Sequence, residues 1–79
     1  MKIKDIRSLV QTRPFRPLKI HLADGRLLKV PHLDYLLFLP PVAGDIFIVV
    51  DRGGAFHIVN AKLVTDVEYK KNGSQAGRG

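Results

Sequence analysis

The chain has 79 residues, with 13 Lys and Arg against seven Asp and Glu, so its formal net charge is +6. It holds no cysteine, which excludes a disulfide framework and a thiolate metal site. A chain of this length is expected to form one domain, and its apolar runs fall short of the ~20 residues that a membrane-spanning helix needs. Charges interrupt the segment from Met1 to Arg7, so no signal-peptide core is expected and the predicted location is the cytoplasm.

The basic charge is concentrated at the two ends of the chain. Residues 1–30 hold eight basic and two acidic residues, whereas residues 31–69 hold two basic and five acidic ones. Residues 70–79 are rich in glycine and contain Lys70, Lys71 and Arg78, so they are predicted to be a disordered basic tail after a domain of residues 1–69. This asymmetry indicates either a polyanionic or acidic partner or the ordinary charge that keeps a small domain in solution.

Residues 2–12 are predicted to form an amphipathic helix. Its apolar residues recur at helical spacing on one stripe, namely Ile3, Ile6, Leu9 and Val10. A helix of about 11 residues is marginal alone, so it must dock on an apolar surface. Pro14 ends the helix, because the residue before a proline is pushed out of the α region. Phe15 is expected to anchor the connector that follows.

A β-hairpin is predicted next, and its register can be derived. A two-residue loop at Asp24-Gly25 would mix apolar and charged side chains on one face. A three-residue loop, Ala23-Asp24-Gly25, keeps one face apolar, and that face sets the register. The predicted cross-strand pairs are Leu18 with Val30, Lys19 with Lys29, and Ile20 with Leu28. Like charges directly opposite each other are unfavourable, which is a hint that an anion binds beside the two lysines.

Four more segments are predicted to extend the sheet. Residues 35–39 form either a short buried strand or a helical turn followed by a strand, because short apolar runs are ambiguous. Residues 45–51 and 55–60 form a second hairpin around the loop Arg52-Gly53-Gly54, and residues 63–69 form the last strand.

The two faces of the second hairpin are both apolar. The odd-length loop places Ile46, Ile48, Val50, Phe56 and Ile58 on one face, and Phe47, Val49, His57 and Val59 on the other. Three arrangements would cover the second face: the helix, closure of the sheet into a barrel, or a second copy of the chain. Both Phe47 and Phe56 are expected to be buried. In the last strand the residues expected to point inward are Leu63, Thr65, Val67 and Tyr69.

The predicted fold class is therefore α+β. An N-terminal helix is followed by a strongly bent antiparallel meander of five to six strands, which forms a small barrel. Exposed apolar patches and free strand edges favour self-association, so a homo-oligomer is expected.

Residues that would carry catalysis or bind a metal do not converge in any recognisable pattern. His21, His32 and His57 lie far apart in sequence, and the nearby carboxylates show no recurring ligand spacing. No nucleophile, base and orienting group can be named together, so we expect no enzyme, no cofactor, no metal and no small-molecule substrate.

A set of basic residues is the most suggestive feature for function. It comprises Arg13, Arg16, Lys19, His21, Arg26 and Lys29, along the connector and the first hairpin. Such a set neutralises phosphates and favours salt-dependent, largely sequence-independent binding. The function predicted first is a small binding module that contacts nucleic acid or another polyanion, or an acidic protein. The alternative is a protein-interaction or structural subunit that self-associates through sheet edges.

Two resemblances bear on these predictions. The segments Arg13-Pro14-Phe15-Arg16-Pro17, His21-Leu22-Ala23-Asp24-Gly25-Arg26 and Val30-Pro31-His32 resemble a group of short uncharacterised bacterial proteins. This resemblance implies a bacterial origin and a shared fold. The order of one helix and about five short antiparallel strands over residues 2–69 is similar to the Sm-like fold, and more broadly to SH3-like barrels. The Sm-like resemblance implies a barrel that forms rings and binds RNA.

Overall fold

The computed structural model describes residues 1–69, which form one N-terminal helix followed by six strands. The helix α1 spans Ile3–Val10, and the strands are β1 (Leu18–Leu22), β2 (Leu27–Val30), β3 (Leu36–Phe38), β4 (Ile46–Val50), β5 (Phe56–Asn60) and β6 (Val64–Tyr69). Short 3-10 helices occupy Leu33–Tyr35, Pro41–Ala43 and Ala61–Leu63. The α+β class is confirmed, and the predicted tail, residues 70–79, lies outside the described residues.

The six strands form two antiparallel sheets rather than one continuous meander. The strand orders are β2-β1-β6 and β3-β4-β5. Within residues 1–69 the two sheets are not closed into a barrel by hydrogen bonds. The break falls between β2 and β3, where Pro31 offers no backbone N–H and a 3-10 helix follows at Leu33–Tyr35. One buried cluster contains residues of α1 and of both sheets, so the sheets share a core.

The first hairpin has the register that its apolar face predicts. The Cα partners are Leu18–Val30, Lys19–Lys29, Ile20–Leu28 and His21–Leu27. The Leu22 N–H donates to the Arg26 carbonyl at 2.9 Å, and Gly25 N–H donates to the Leu22 carbonyl at 2.9 Å. Gly25 has φ +93°, a left-handed conformation that glycine adopts without steric cost. The three-residue loop is therefore confirmed.

The second hairpin uses the same loop geometry. The Asp51 N–H donates to the Ala55 carbonyl and the Gly54 N–H to the Asp51 carbonyl, each at 2.9 Å. Val50 pairs with Phe56 and Ile48 with Ile58, so the predicted division into two faces is confirmed. The face with Phe47, Val49 and Val59 is buried in the core, since these three side chains are almost fully inaccessible.

The last strand, β6, pairs with β1, and a β-bulge changes which of its side chains point toward the core. Ile20 pairs with Val67 and His21 with Asp66, but Leu22 pairs with Val64, which leaves Thr65 as the extra residue. The prediction that Leu63 and Thr65 point inward is wrong, because the bulge shifts the alternation by one residue and buries Val64 instead. The Thr65 hydroxyl donates to the His21 carbonyl at 3.2 Å.

The helix is shorter than its apolar period predicts, and it bridges the two sheets. Ile6 and Val10 are buried in the shared core. The Arg7 guanidinium lies 5.1 Å from the centre of the Phe38 ring in β3, a favourable cation–π contact. The Tyr69 hydroxyl in β6 donates to the Leu9 carbonyl. Among residues 1–69 no helix has both the length and the apolar character to cross a membrane.

The ambiguous segment of residues 35–39 is closest to the second predicted form, a turn followed by a strand, but the turn begins two residues earlier than predicted. Leu33–Tyr35 is a single 3-10 turn, and Leu36–Phe38 is the strand that follows it. Leu36 is buried, whereas Leu37 points away from the core. This alternation matters because Leu37 then lies on the same side of its sheet as the outer residues of β4.

Candidate functional site: a basic groove and an apolar sheet face

A groove of about 550 Å³ lies at the open end of the first hairpin. We call it the basic groove; its lining residues are Pro17, Leu18, Lys19, Lys29, Val30, Pro31, Arg52 and Glu68. Three of these residues are cations and one is an anion. The groove therefore joins the first hairpin to the loop between β4 and β5 and to the last strand.

The floor and walls of the basic groove follow from the strand register. Leu18 and Val30 pair with each other at the end of the hairpin, and both side chains are buried in the core below. Pro17 and Pro31 flank this pair, and because proline has no N–H, hydrogen bonding between the strands stops there. Alternation then places Lys19 and Lys29 on the outer face, directly opposite each other.

Arg52 enters the groove from a loop that a carboxylate organises. Asp51 Oδ1 accepts from the Gly53 N–H at 2.9 Å and the Ala55 N–H at 3.0 Å, while Asp51 Oδ2 accepts from His57 Nε2 at 3.0 Å. The hydrogen bond from His57, followed by the one from the Ala55 N–H, lowers the pKa of Asp51. The charged carboxylate thus holds the loop that carries Arg52 against the first residues of β5.

Glu68 brings negative charge to the same surface. It is the Cα partner of Lys19 across β1 and β6, and its Oε1 accepts from His21 Nε2 at 3.0 Å. The hydrogen bond from His21, and then the charge of Lys19, lower the pKa of Glu68. The carboxylate is therefore ionised at neutral pH, and it partly neutralises the cations of the groove.

The structure brings together only some of the basic residues predicted for the site. Lys19 and Lys29 line the groove, whereas His21 pairs with Glu68 beside it. Arg26 is tied to its own loop, since its Nε donates to Asp24 Oδ2 at 2.9 Å, and the backbone N–H of Arg26 is the main cause of the lowered pKa of Asp24. Arg13 and Arg16 lie in the connector and are not part of the lining. The Nε of Arg16 is buried and has no hydrogen-bond partner within residues 1–69.

No local pattern in the sequence indicates that Arg52 contributes to the groove. The sequence predicts the loop Arg52-Gly53-Gly54 as a turn, and the structure confirms it. Its position beside Lys19 and Lys29 depends on how the two sheets pack, which local patterns do not report. Within the described residues, no three His, Cys, Asp or Glu side chains are grouped as metal ligands. The groove instead presents cations above an apolar floor, an arrangement suited to an anion.

A second surface is uncharged and apolar. We call it the apolar sheet face; it comprises Leu37, Ile46, Ile48, Val50, Phe56 and Ile58, which share the outer side of β3, β4 and β5. Phe56 is 72% exposed, Ile58 70% and Leu37 54%. The expectation that Phe56 is buried is wrong, because only the opposite side of this sheet meets the core. The helix packs into that core and leaves the outer side uncovered.

Comparisons with protein-family models, with curated proteins and with solved structures found no match to this chain. The resemblances to short bacterial proteins and to the Sm-like fold therefore stay predictions.

Proposed function

We propose that this chain is a non-enzymatic binding module that holds a polyanion in the basic groove, with nucleic acid as the first candidate ligand and an acidic protein as the other. The observation that carries the proposal is that Lys19 and Lys29 face each other directly while Arg52 reaches the same groove from another sheet. Two opposed lysines repel each other, and a phosphate between them turns that repulsion into attraction.

The lining favours contact with a phosphate backbone over readout of bases. Its cations would displace the counterions that surround a nucleic acid, which makes binding depend on salt. It contains no aromatic side chain, so it offers no platform on which a base stacks. Contacts of this kind position a strand without reading its sequence. We therefore expect little discrimination between sequences.

A salt titration of binding tests this function. The full chain is added to labelled single-stranded RNA and to labelled duplex DNA, and fluorescence anisotropy is followed at roughly 20 to 200 mM salt. We expect the logarithm of the association constant to fall linearly with the logarithm of salt concentration, with a slope near −2 to −3 for about three phosphate contacts. Absence of binding at the lowest salt concentration contradicts the proposal.

The second candidate function is that of an interaction or structural subunit that self-associates. The exposed apolar sheet face favours it, because the largest apolar patch on a protein surface is often an interaction site. Within residues 1–69 the outer edges of β3 and β5 pair with no further strand, so their backbone groups could pair with another copy. Light scattering separates the two candidates: a stable oligomer without affinity for nucleic acid favours this one.

We also propose that the two sheets are the halves of one small Sm-like or SH3-like barrel. Support comes from the shared core and from β6, which returns through a 3-10 turn at Ala61–Leu63 to pair with β1. A bacterial origin and a location in the cytoplasm stay predictions.

A further inference from the structure

We propose that the apolar sheet face is the interface of a homodimer in which two copies of the chain pack sheet against sheet. The inference rests on the second candidate function, self-association, and it assigns that association to the face of one sheet rather than to strand edges. It is independent of the ligand in the basic groove.

The apolar sheet face is continuous across all three strands. Leu37 pairs with Ile48, and Ile48 pairs in turn with Ile58, so three aliphatic side chains form a row across β3, β4 and β5. The neighbouring row contains Val50 and Phe56, which are also paired. None of the six residues is charged. A second copy can therefore approach this face without like-charge repulsion at the contact, although the chain as a whole is basic.

The exposed area is close to what a weak but specific dimer requires. A large apolar side chain presents on the order of 150 Å² or more when fully accessible, so this face exposes roughly 500 Å² in each copy. This is at the upper end for a patch left on a monomer, about 300 to 600 Å². Two such faces bury about 1,000 Å² together, near the lower limit for a specific interface. We therefore expect a dimer that dissociates on dilution.

The other segments of residues 1–69 do not cover the apolar sheet face. The apolar stripe of α1 is already used, because Ile6 and Val10 are buried in the shared core. Residues 70–79 contain a single apolar residue, Ala76, which is too small to cover six large side chains. A two-fold axis, the commonest symmetry of soluble oligomers, brings the same face of two copies together, and an uncharged apolar face can pack against itself in this way. An acidic partner would instead be drawn to the basic groove.

The proposed interface and the basic groove use different residues. No residue of the apolar sheet face lines the groove. A dimer would then carry two grooves, and a polyanion long enough to reach both would bind more tightly than a short one. This links the proposed interface to the binding function without making either depend on the other.

Sedimentation equilibrium of the full chain tests the interface. Over roughly 1 µM to 1 mM protein, we expect the apparent mass to rise from 8.8 kDa towards twice that value. The double variant Phe56→Thr/Ile58→Thr keeps the backbone N–H groups and favours strand conformation, but it removes most of the exposed apolar area. Its dissociation constant should rise at least about tenfold.

The matched control is Leu27→Thr/Leu63→Thr. These leucines are 42% and 44% exposed and lie outside the apolar sheet face, so the dissociation constant should stay within about twofold of the unchanged chain. If Phe56→Thr/Ile58→Thr dimerises normally, or if the control loses as much affinity, the apolar sheet face is not the dimer interface. Association through strand edges then remains as the explanation. A chain that remains 8.8 kDa at every concentration overturns self-association itself.

Discussion

At the scale of single residues, three carboxylates hold basic or loop residues of the two hairpins by hydrogen bonds. Asp24 holds Arg26 within its own loop, and Glu68 accepts a hydrogen bond from His21 beside the groove. Asp51 organises the loop that carries Arg52. The main cause of the lowered pKa is a hydrogen bond in each case, from the backbone N–H of Arg26 to Asp24, from His57 to Asp51 and from His21 to Glu68. The charge available to a ligand is therefore smaller than the number of basic residues suggests.

Replacing Glu68 should strengthen binding of a polyanion. Glu68→Gln keeps the size of the side chain but removes a negative charge from the lining of the groove. A unit charge about 4 Å away contributes about 1 kcal/mol in water, so the affinity for single-stranded RNA at low salt should rise roughly fivefold. Asp66→Asn is the control, because Asp66 lies on the outer side of the same strand but does not line the groove. An equal gain in both variants would show that total charge, and not the groove, sets affinity.

The lowered pKa of Asp51 predicts a loss of stability in acid. A carboxyl whose pKa is lower in the folded state contributes stability above its unfolded pKa, and this contribution is lost as the pH falls through the folded pKa. The free energy of unfolding of the unchanged chain should therefore fall below about pH 4. In Asp51→Asn the fall between about pH 6 and pH 3 should be smaller, as measured by urea titration. Equal falls in both proteins would contradict this role.

At the scale of elements, the two hairpins are built alike, and most of their geometry is local. Each has a three-residue loop whose last residue, Gly25 or Gly54, adopts a positive φ. The side-chain alternation and the loop length together determine the register, which is why the sequence predicts both hairpins correctly. The helix is also predicted from a local pattern, its apolar stripe. The predicted range, residues 2–12, is longer than the observed Ile3–Val10, because an apolar stripe does not mark the residues at which a helix begins and ends.

The loop of the second hairpin offers a matched test of backbone conformation. Gly54 has φ +89° and open space around the position of a Cβ atom, so Gly54→Ala should destabilise the chain through its backbone alone, by about 1 kcal/mol. Gly53 does not have a positive φ, and an added Cβ would lie 3.4 Å from Asp51 Oδ1. Gly53→Ala should therefore cost much less. Urea denaturation measures both, and a greater loss in Gly53→Ala would contradict the loop assignment.

Features that join distant segments could not be predicted from the sequence. The bulge at Thr65 appears only when β6 pairs with β1, because nothing in the last strand alone marks an extra residue. The exposure of Phe56 depends on which side of the second sheet meets the core, and both sides are apolar in sequence. Arg52 lines the same groove as Lys29 only because of how the two sheets pack. In each case the deciding contact is long-range.

At the scale of the whole molecule, two sheets and one helix enclose a core and leave two distinct surfaces. The basic groove lies where the first sheet meets the β4–β5 loop, and the apolar sheet face is the outer side of the second sheet. A domain of this size has a small margin of stability. An exposed apolar surface on such a domain increases the risk of aggregation, so an interface that covers it also protects the folded chain.

The salt dependence of polyanion binding, compared between two double variants, tests whether the basic groove is the binding site. Lys29→Ala/Arg52→Ala removes two cations of the groove, and Lys4→Ala/Lys62→Ala removes two exposed cations elsewhere, so both lower the net charge equally. For single-stranded RNA, the groove variant should lose about 1.5 from the magnitude of the salt slope and at least about tenfold in affinity. The second variant should keep a slope close to that of the unchanged chain. Equal losses in both variants would mean that charge spread over the surface, rather than the basic groove, binds the polyanion.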